Sequence, residues 1–281
     1  MTTSAHLRGN TDPHSDSISA SAIGAATDRL ENAYRTHRPC APVRDLLGSG
    51  DVAAAYAAQR RYVEARTADG ARVVGRKIGL TAPAVQRQLG VDQPDFGVLF
   101  DDMWLADGST VAAGTLLQPK IEAEIAFMLG ADLDGATDPR TIRSAVRYAV
   151  AAIEIVDSRI VDWDITITDT VADNASSGLF VLGGNQVPLA DFEPVDAMMT
   201  LYVDGEQVSA GSGAQCLGDP LTALGWLAGT AQEFGDPLRA GQIVLSGALG
   251  PMVTAVPGHR ARAEVSGLGH VEVGFGRGEQ R

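Results

Sequence analysis

From Lys120 to the C-terminus the chain repeats one signature, short runs of alternating apolar and polar residues cut off by Gly, Pro or Asp. The runs are Lys120 to Leu129, Ala152 to Asp157, Leu179 to Leu182, Met198 to Val203, Gln242 to Ser246, Ala261 to Val265 and His270 to Phe275. A period of two places alternate side chains on opposite faces, as a half-buried strand requires. Two helical stretches interrupt the runs, Pro139 to Val150 and Pro220 to Phe234, the second opened by Asp219-Pro220. Upstream the pattern is helical, over Ala22 to Thr36 and again from a capping Asp51 to Ala68. A turn at Asp69-Gly70 leads into an apolar strand, Ala71 to Gly75, running on to Leu80, and Ala82 to Leu89 reads as a short helix. The expected class is α+β: a helical portion to about residue 70 and a β-rich body after it, one unit over residues 23–281. Residues 1–22, rich in Ser, Thr, Asp and His, are expected to be a disordered polar tail.

Several function classes are disfavoured. A formal net charge of −13 opposes nucleic-acid binding, which draws on clustered Lys and Arg. The longest apolar stretch, Tyr148 to Ile155, is too short for a bilayer and is broken by Glu154, so no membrane association is expected. The N-terminus lacks the apolar core of a secretory signal. Cys40 and Cys216 lie far apart, which suits free thiols in a reducing cytoplasm, the expected location. No Gly-x-Ser-x-Gly elbow marks a serine nucleophile, and no Gly-x-Gly-x-x-Gly marks a dinucleotide site.

Five segments carry residues suited to chemistry. In the run from Lys120 to Phe127, Lys120, Glu122 and Glu124 share one strand face, the two carboxylates about 6–7 Å apart at Cα from strand rise. Oxygen donors so placed suit Mg²⁺ or Mn²⁺, although a solvated strand face has the same pattern. Glu154 sits inside an apolar run, where a carboxylate needs a metal or a cation such as Arg159 or Lys120. Lys77 ends an apolar strand and is closely followed by Gly79, a setting for carboxylate binding or proton transfer, or for a lysine reaching solvent. Asp95 lies in the turn-like string Gln93-Pro94-Asp95-Phe96-Gly97, where turn chemistry alone accounts for an Asp. The string Asp169 to Gly178, containing Ser176, reads as a polar loop able to donate hydrogen bonds.

Taken in order, Gly75 to Thr81, Leu89 to Gly97, Glu122 to Phe127, Glu154 to Arg159 and Asp169 to Gly178 resemble the 2-keto-4-pentenoate hydratase and 4-oxalocrotonate decarboxylase family. That group falls in the fumarylacetoacetate hydrolase-like superfamily, and the resemblance runs from about Ala25 to Phe275. It implies a central mixed β-roll and a divalent cation, Mg²⁺ or Mn²⁺, held by Glu122, Glu124 and Glu154. It also implies Lys77 and Asp95 at the substrate and Ser176 near its carboxylate. The implied reaction is addition of water to a 2-hydroxy-2,4-dienoate; decarboxylation of a 4-oxalocrotonate-type acid, or a non-catalytic role beside such an enzyme, is the alternative. The implied partners are a small carboxylate substrate and further copies of the chain, a homo-oligomer that can also engage a decarboxylase. One departure is Trp163-Asp164-Ile165-Thr166, where relatives often carry a basic segment.

Overall fold

The computed structural model describes residues 18–82, 86 and 93–278. Most of the polar tail and nearly all of the expected helix from Ala82 to Leu89 lie outside the described residues. Helix α1 (Ala20–Thr36) starts two residues earlier than expected, because Ser19 Oγ accepts from the Ala22 amide at 3.2 Å. After the short α2 (Arg44–Leu47), α3 (Val52–Ala68) is capped by Asp51, whose carboxylate accepts from the Ala54 amide at 2.9 Å. Small side chains, among them Ala26, Ala33, Ala55 and Ala58, are buried on the two long helices, which pack together. No helix among the described residues is long and apolar enough to cross a membrane.

Among the described residues the body consists of two sheets. Its first segments are β1 (Val73–Gly79), β2 (Asp95–Phe100), β3 (Trp104–Leu105), β4 (Thr110–Val111) and β5 (Pro119–Leu129). Then come α4 (Pro139–Ala145), β6 (Val146–Asp157), α5 (Ile167–Ala172), β7 (Ser177–Leu182), β8 (Met198–Val203) and β9 (Glu206–Ser212). The chain closes with α6 (Pro220–Glu233), β10 (Ile243–Leu245), β11 (Val253–Thr254), β12 (Arg260–Val265) and β13 (Gly269–Phe275). The larger sheet runs β2-β1-β10-β5-β6-β7-β3, with β11 beside β5; the smaller runs β4-β13-β12-β8-β9. β1 and β10 pair in parallel while β5 and β6 pair antiparallel, so the large sheet is mixed as expected.

Three local expectations are corrected. The helix opened by Pro139 stops at Ala145, because from Val146 the chain enters the longest antiparallel pairing among the described residues, with β5. Asp95 to Gly97 is not a turn: Asp95 begins β2 opposite Gly79 of β1. The string Asp169 to Gly178 is not an open loop but the end of α5, a short 3-10 turn at Asn174–Ser176 and the start of β7. The short β3, β4 and β11 and the Ser- and Gly-bearing β9 carry too little alternation to be read in advance.

The central pair β5–β6 has two different faces. Ile121, Ala123, Ile125 and Phe127 of β5, with Ala149, Ala151, Ile153 and Ile155 of β6, join the main core shared with Ala263, Val271 and Val273 of the smaller sheet. The opposite face carries Ala126, Val150 and Ala152 in a second apolar cluster with Phe180 and Leu245, and beyond them three glutamates.

Candidate active site

Strand register creates the acidic centre. Glu122 stands directly opposite Glu154 across the β5–β6 ladder, and Glu124 is two residues along the same face. One carboxylate oxygen from each lies within 4.8 Å of the others. Like charges directly opposed in a sheet repel, and here they do so with little water. Glu124 and Glu154 are buried, and Glu122 is partly open to the cleft. Burial, then the Glu154 charge, pushes the Glu122 carboxyl up to about 7, and burial with both neighbouring acids drives Glu124 well above the carboxylate range. The Gly247 amide donates to Glu124 Oε2 at 2.9 Å, while Glu124 Oε1 and both Glu154 oxygens are buried with no well-directed hydrogen bond among the described residues. Three converging carboxylates with orphaned oxygens fit a hard, oxygen-seeking divalent cation, which supplies the missing partner and offsets the repulsion.

Lys77 reaches this centre from β1. Its Nζ lies 3.1 Å from Glu154 Oε1, an ion pair in which both side chains are almost fully buried. Burial opposes its charge, but Glu154, Asp95, Glu122 and Glu124 together outweigh that and raise its pKa. The cations expected for Glu154 were Arg159 and Lys120; Arg159 instead pairs with Asp173, and no ion pair joins Lys120 to Glu154. Asp95 faces Gly79, where a Cβ would lie 2.2 Å from Asp95 Oδ1. Glycine at 79 is therefore what admits the carboxylate beside Lys77. Burial raises the Asp95 pKa, Lys77 pulls it down, Thr170 Oγ1 donates to Oδ2 at 3.3 Å, and Oδ1 has no hydrogen-bond partner among the described residues.

Ser176 arrives on a strained turn. Asn174, Ala175 and Ser176 have φ of 53°, 51° and 52°, a left-handed run that L-residues avoid. The run is clamped at both ends. Asn174 Nδ2 donates to the Val98 carbonyl at 2.9 Å, and Asn174 Oδ1 accepts from the Val98 amide at 2.8 Å. Behind it, Arg159 Nε donates to Asp173 Oδ1 at 2.5 Å and Arg159 Nη1 to the Ser177 carbonyl at 2.6 Å. The turn brings Ser176 Oγ within 3.5 Å of Thr170 Oγ1, and so next to Asp95.

All six residues singled out in the sequence therefore meet in one region. Lys77, Asp95, Glu122 and Ser176 line a cleft of about 220 Å³, whose outer wall includes Lys120, Trp163 and Ile165. Sequence reasoning missed the groups that hold them. Buried Gln59 donates to the Phe96 and Val171 carbonyls at 2.9 and 3.1 Å, tying α3 to β2 and α5. Its one signal is a polar residue within an alanine-rich helix face; Thr170, Asp173 and Asn174 fall inside the Asp169 to Gly178 string and Arg159 reads only as a cation for Glu154, with nothing to mark their supporting role. The departure at Asp164 also has a structural account. Its carboxylate turns to Arg44, at 2.7 Å, while Thr166 Oγ1 donates to Asp169 Oδ2 at the head of α5, leaving Trp163 and Ile165 at the cleft.

Residues 71–275 match the family model for the fumarylacetoacetate (FAA) hydrolase C-terminal domain. The 2-keto-4-pentenoate hydratase of Burkholderia vietnamiensis is 52% identical over 255 residues, 90% of this chain and 97% of that protein. The TodF product hydratase of Pseudomonas putida is 50% identical over 265 residues, covering 93% and 98%. The solved 4-oxalocrotonate decarboxylase of Pseudomonas putida G7, complexed with magnesium and adipate, superposes with a TM-score of 0.88 at 31% identity, over 92% of this chain and 98% of that one. With the mixed-sheet architecture and the shared extent of both chains, these likenesses agree on one assignment: the chain is a member of the 2-keto-4-pentenoate hydratase family of lyases, within the fumarylacetoacetate hydrolase-like superfamily.

Proposed function

We propose that the protein is a divalent-metal-dependent hydratase that converts a 2-hydroxy-2,4-dienoate, through its 2-oxo-enoate tautomer, into a 4-hydroxy-2-oxo acid. The observation that carries the reading is the convergence of Glu122, Glu124 and Glu154 beside the Lys77–Asp95 couple in one cleft. The greater identity to hydratases than to the decarboxylase favours water addition.

Glu122, Glu124 and Glu154 would hold Mg²⁺ or Mn²⁺. When bound, that ion supplies Lewis acidity toward the substrate's carboxylate and 2-oxygen. Ser176 orients the carboxylate by donating from Oγ. Ketonisation takes the proton from the C2 hydroxyl and delivers one to the far carbon of the diene. Lys77 Nζ and Asp95 Oδ1, the latter buried without a hydrogen-bond partner among the described residues, form the relay that holds and returns it. Water then adds its hydroxyl at C4 and its second proton at C3, so the product gains one water and no redox change occurs.

Protein stripped with chelator and restored with Mg²⁺ or Mn²⁺ should consume freshly generated 2-hydroxypenta-2,4-dienoate, with a product heavier by one water in mass spectrometry. Carbon dioxide released from 4-oxalocrotonate, with the dienoate untouched, would move the assignment to the decarboxylases. Metal binding without turnover of either would leave a non-catalytic member of the family.

A further inference from the structure

The cleft shares part of its wall with a neighbouring cavity. Lys120 and Trp163 line it and also line a second cavity of about 440 Å³ on their other side. The remaining lining of that chamber is largely apolar, including Val111, Leu116, Leu117, Ala255, Pro257 and Phe275, and among the described residues Lys120 is its one charged residue. The partition is itself a built structure. Lys120 Nζ lies 4.2 Å from the centroid of the Trp163 ring, a cation–π contact. Trp163 is held with φ 56°, and its indole N–H donates to the Gln118 carbonyl at 3.0 Å. The Gln118 side chain fastens the same segment, donating to the Ser158 and Ile160 carbonyls at 3.0 and 2.7 Å and accepting from the Asp162 amide at 2.8 Å.

Distance along β5 relates the partition to the acidic centre. Lys120, Glu122 and Glu124 share a strand face, so each step is about 6–7 Å at Cα. A five-carbon acid anchored at the glutamates, roughly 5–6 Å long from bonds of about 1.5 Å, ends level with Lys120 and Trp163. Any longer substituent meets that pair and then the chamber.

Building on the proposed function, we infer that the chamber beyond Lys120 and Trp163 is the subsite for an apolar distal substituent, and that the preferred substrates are 2-oxo acids extended by alkyl or aryl groups beyond C5. Lys120 acts there as a cationic lid packed on the indole rather than as the partner of a second carboxylate.

The test is binding, not turnover. Mg²⁺-loaded protein is titrated calorimetrically with 2-oxopentanoate, 2-oxohexanoate, 2-oxooctanoate and the diacid 2-oxoadipate. Affinity should rise about two- to four-fold per added methylene, and 2-oxoadipate should bind more weakly than 2-oxohexanoate. Ala113→Trp, at an exposed chamber-lining position that tolerates bulk, should shrink the ratio of eight-carbon to five-carbon affinity toward one. Equal affinity along the series overturns the subsite while leaving the 2-oxo acid reading standing. Tighter binding of 2-oxoadipate, lost in Lys120→Met, overturns it in favour of a distal carboxylate site. If no 2-oxo acid binds, both readings fall; if the length dependence holds but no dienoate is hydrated, the subsite stands and the hydratase reading fails.

Discussion

Lys77 Nζ sits 3.1 Å from Glu154 Oε1, yet among the described residues neither Glu154 oxygen has a well-directed hydrogen bond. The lysine supplies charge to the acidic centre without satisfying its lone pairs. Buried ion pairs of this kind survive when further partners complete them. Here the incomplete side faces Glu122 and Glu124, where a divalent cation would take the vacant oxygens while Lys77 stays at the cleft that Asp95 also lines.

Lys77→Met should therefore separate binding from chemistry. Removing the ammonium removes a competitor for Glu154, so Mn²⁺ affinity measured by titration calorimetry should be retained or improved. Turnover of the dienoate should fall by about 10²–10⁴-fold, the usual worth of a positioned proton-transfer group. An unchanged rate would take Lys77 out of the mechanism.

The same electrostatics predicts how cation affinity responds to pH. Burial and the neighbouring Glu154 place the Glu122 carboxyl at about 7, and burial with both neighbouring acids raises Glu124 well above the ordinary carboxylate range. Below about pH 7 a proton occupies oxygens the cation needs, so Mn²⁺ binding must release protons. Apparent affinity should fall as pH drops from 8 to 6, with proton uptake by the buffer on binding. Glu124→Ala should abolish both the binding and its pH dependence; full activity with bound metal in that variant would sink the ligand assignment.

Among the six candidate residues only Glu154 breaks its local pattern; the other five sit in alternation, strand-end, turn or loop settings that ordinary structure also explains, and the family resemblance singled them out. Glu154 interrupts an apolar run, and Glu122 and Glu124 alternate with Ile121, Ala123 and Ile125. Their convergence was not legible from alternation alone, since it depends on the β5–β6 register that sets Glu122 against Glu154. The joint order of the five segments supplied that information through the family resemblance. What escaped both routes was support. Asn174 looks like any loop residue in sequence, and its bidentate grip on Val98 spans a separation of 76 residues. The helix from Pro139 was read too long for a related reason, since pairing with β5 overrides the local preference of residues after Ala145.

Gly79→Ala probes the Asp95 position without touching an ionisable group. The added Cβ would sit 2.2 Å from Asp95 Oδ1 and 3.5 Å from Lys77 Nζ, so the carboxylate must shift. Gly79 is not at positive φ, so the backbone itself bears an alanine. The variant should fold with a melting temperature within a few degrees of the parent, bind Mn²⁺ and lose about 10²-fold or more in kcat, as misplacing a reacting group commonly does. Wild-type kcat would show that Asp95 need not stand where this structure puts it.

Asn174→Ala tests whether the strained turn is held by its clamp. The substitution leaves the buried Val98 N–H and carbonyl without their side-chain partners, each at a cost of about 1–3 kcal/mol. It also takes away the amide that ties three consecutive left-handed residues to β2, in which Asn, unlike Ala, tolerates positive φ. The turn should relax and carry Ser176 away from Thr170 Oγ1, now 3.5 Å distant. Thermal unfolding should shift down by several degrees, and KM for the dienoate should rise more than kcat falls, because the group displaced is the one assigned to carboxylate binding. Asn174→Asp separates the two effects: its carboxylate can still accept from the Val98 amide but no longer donates to the carbonyl, so it should recover part of the stability. A variant with lowered stability and an unchanged KM would detach Ser176 from substrate binding and leave the clamp a purely structural device.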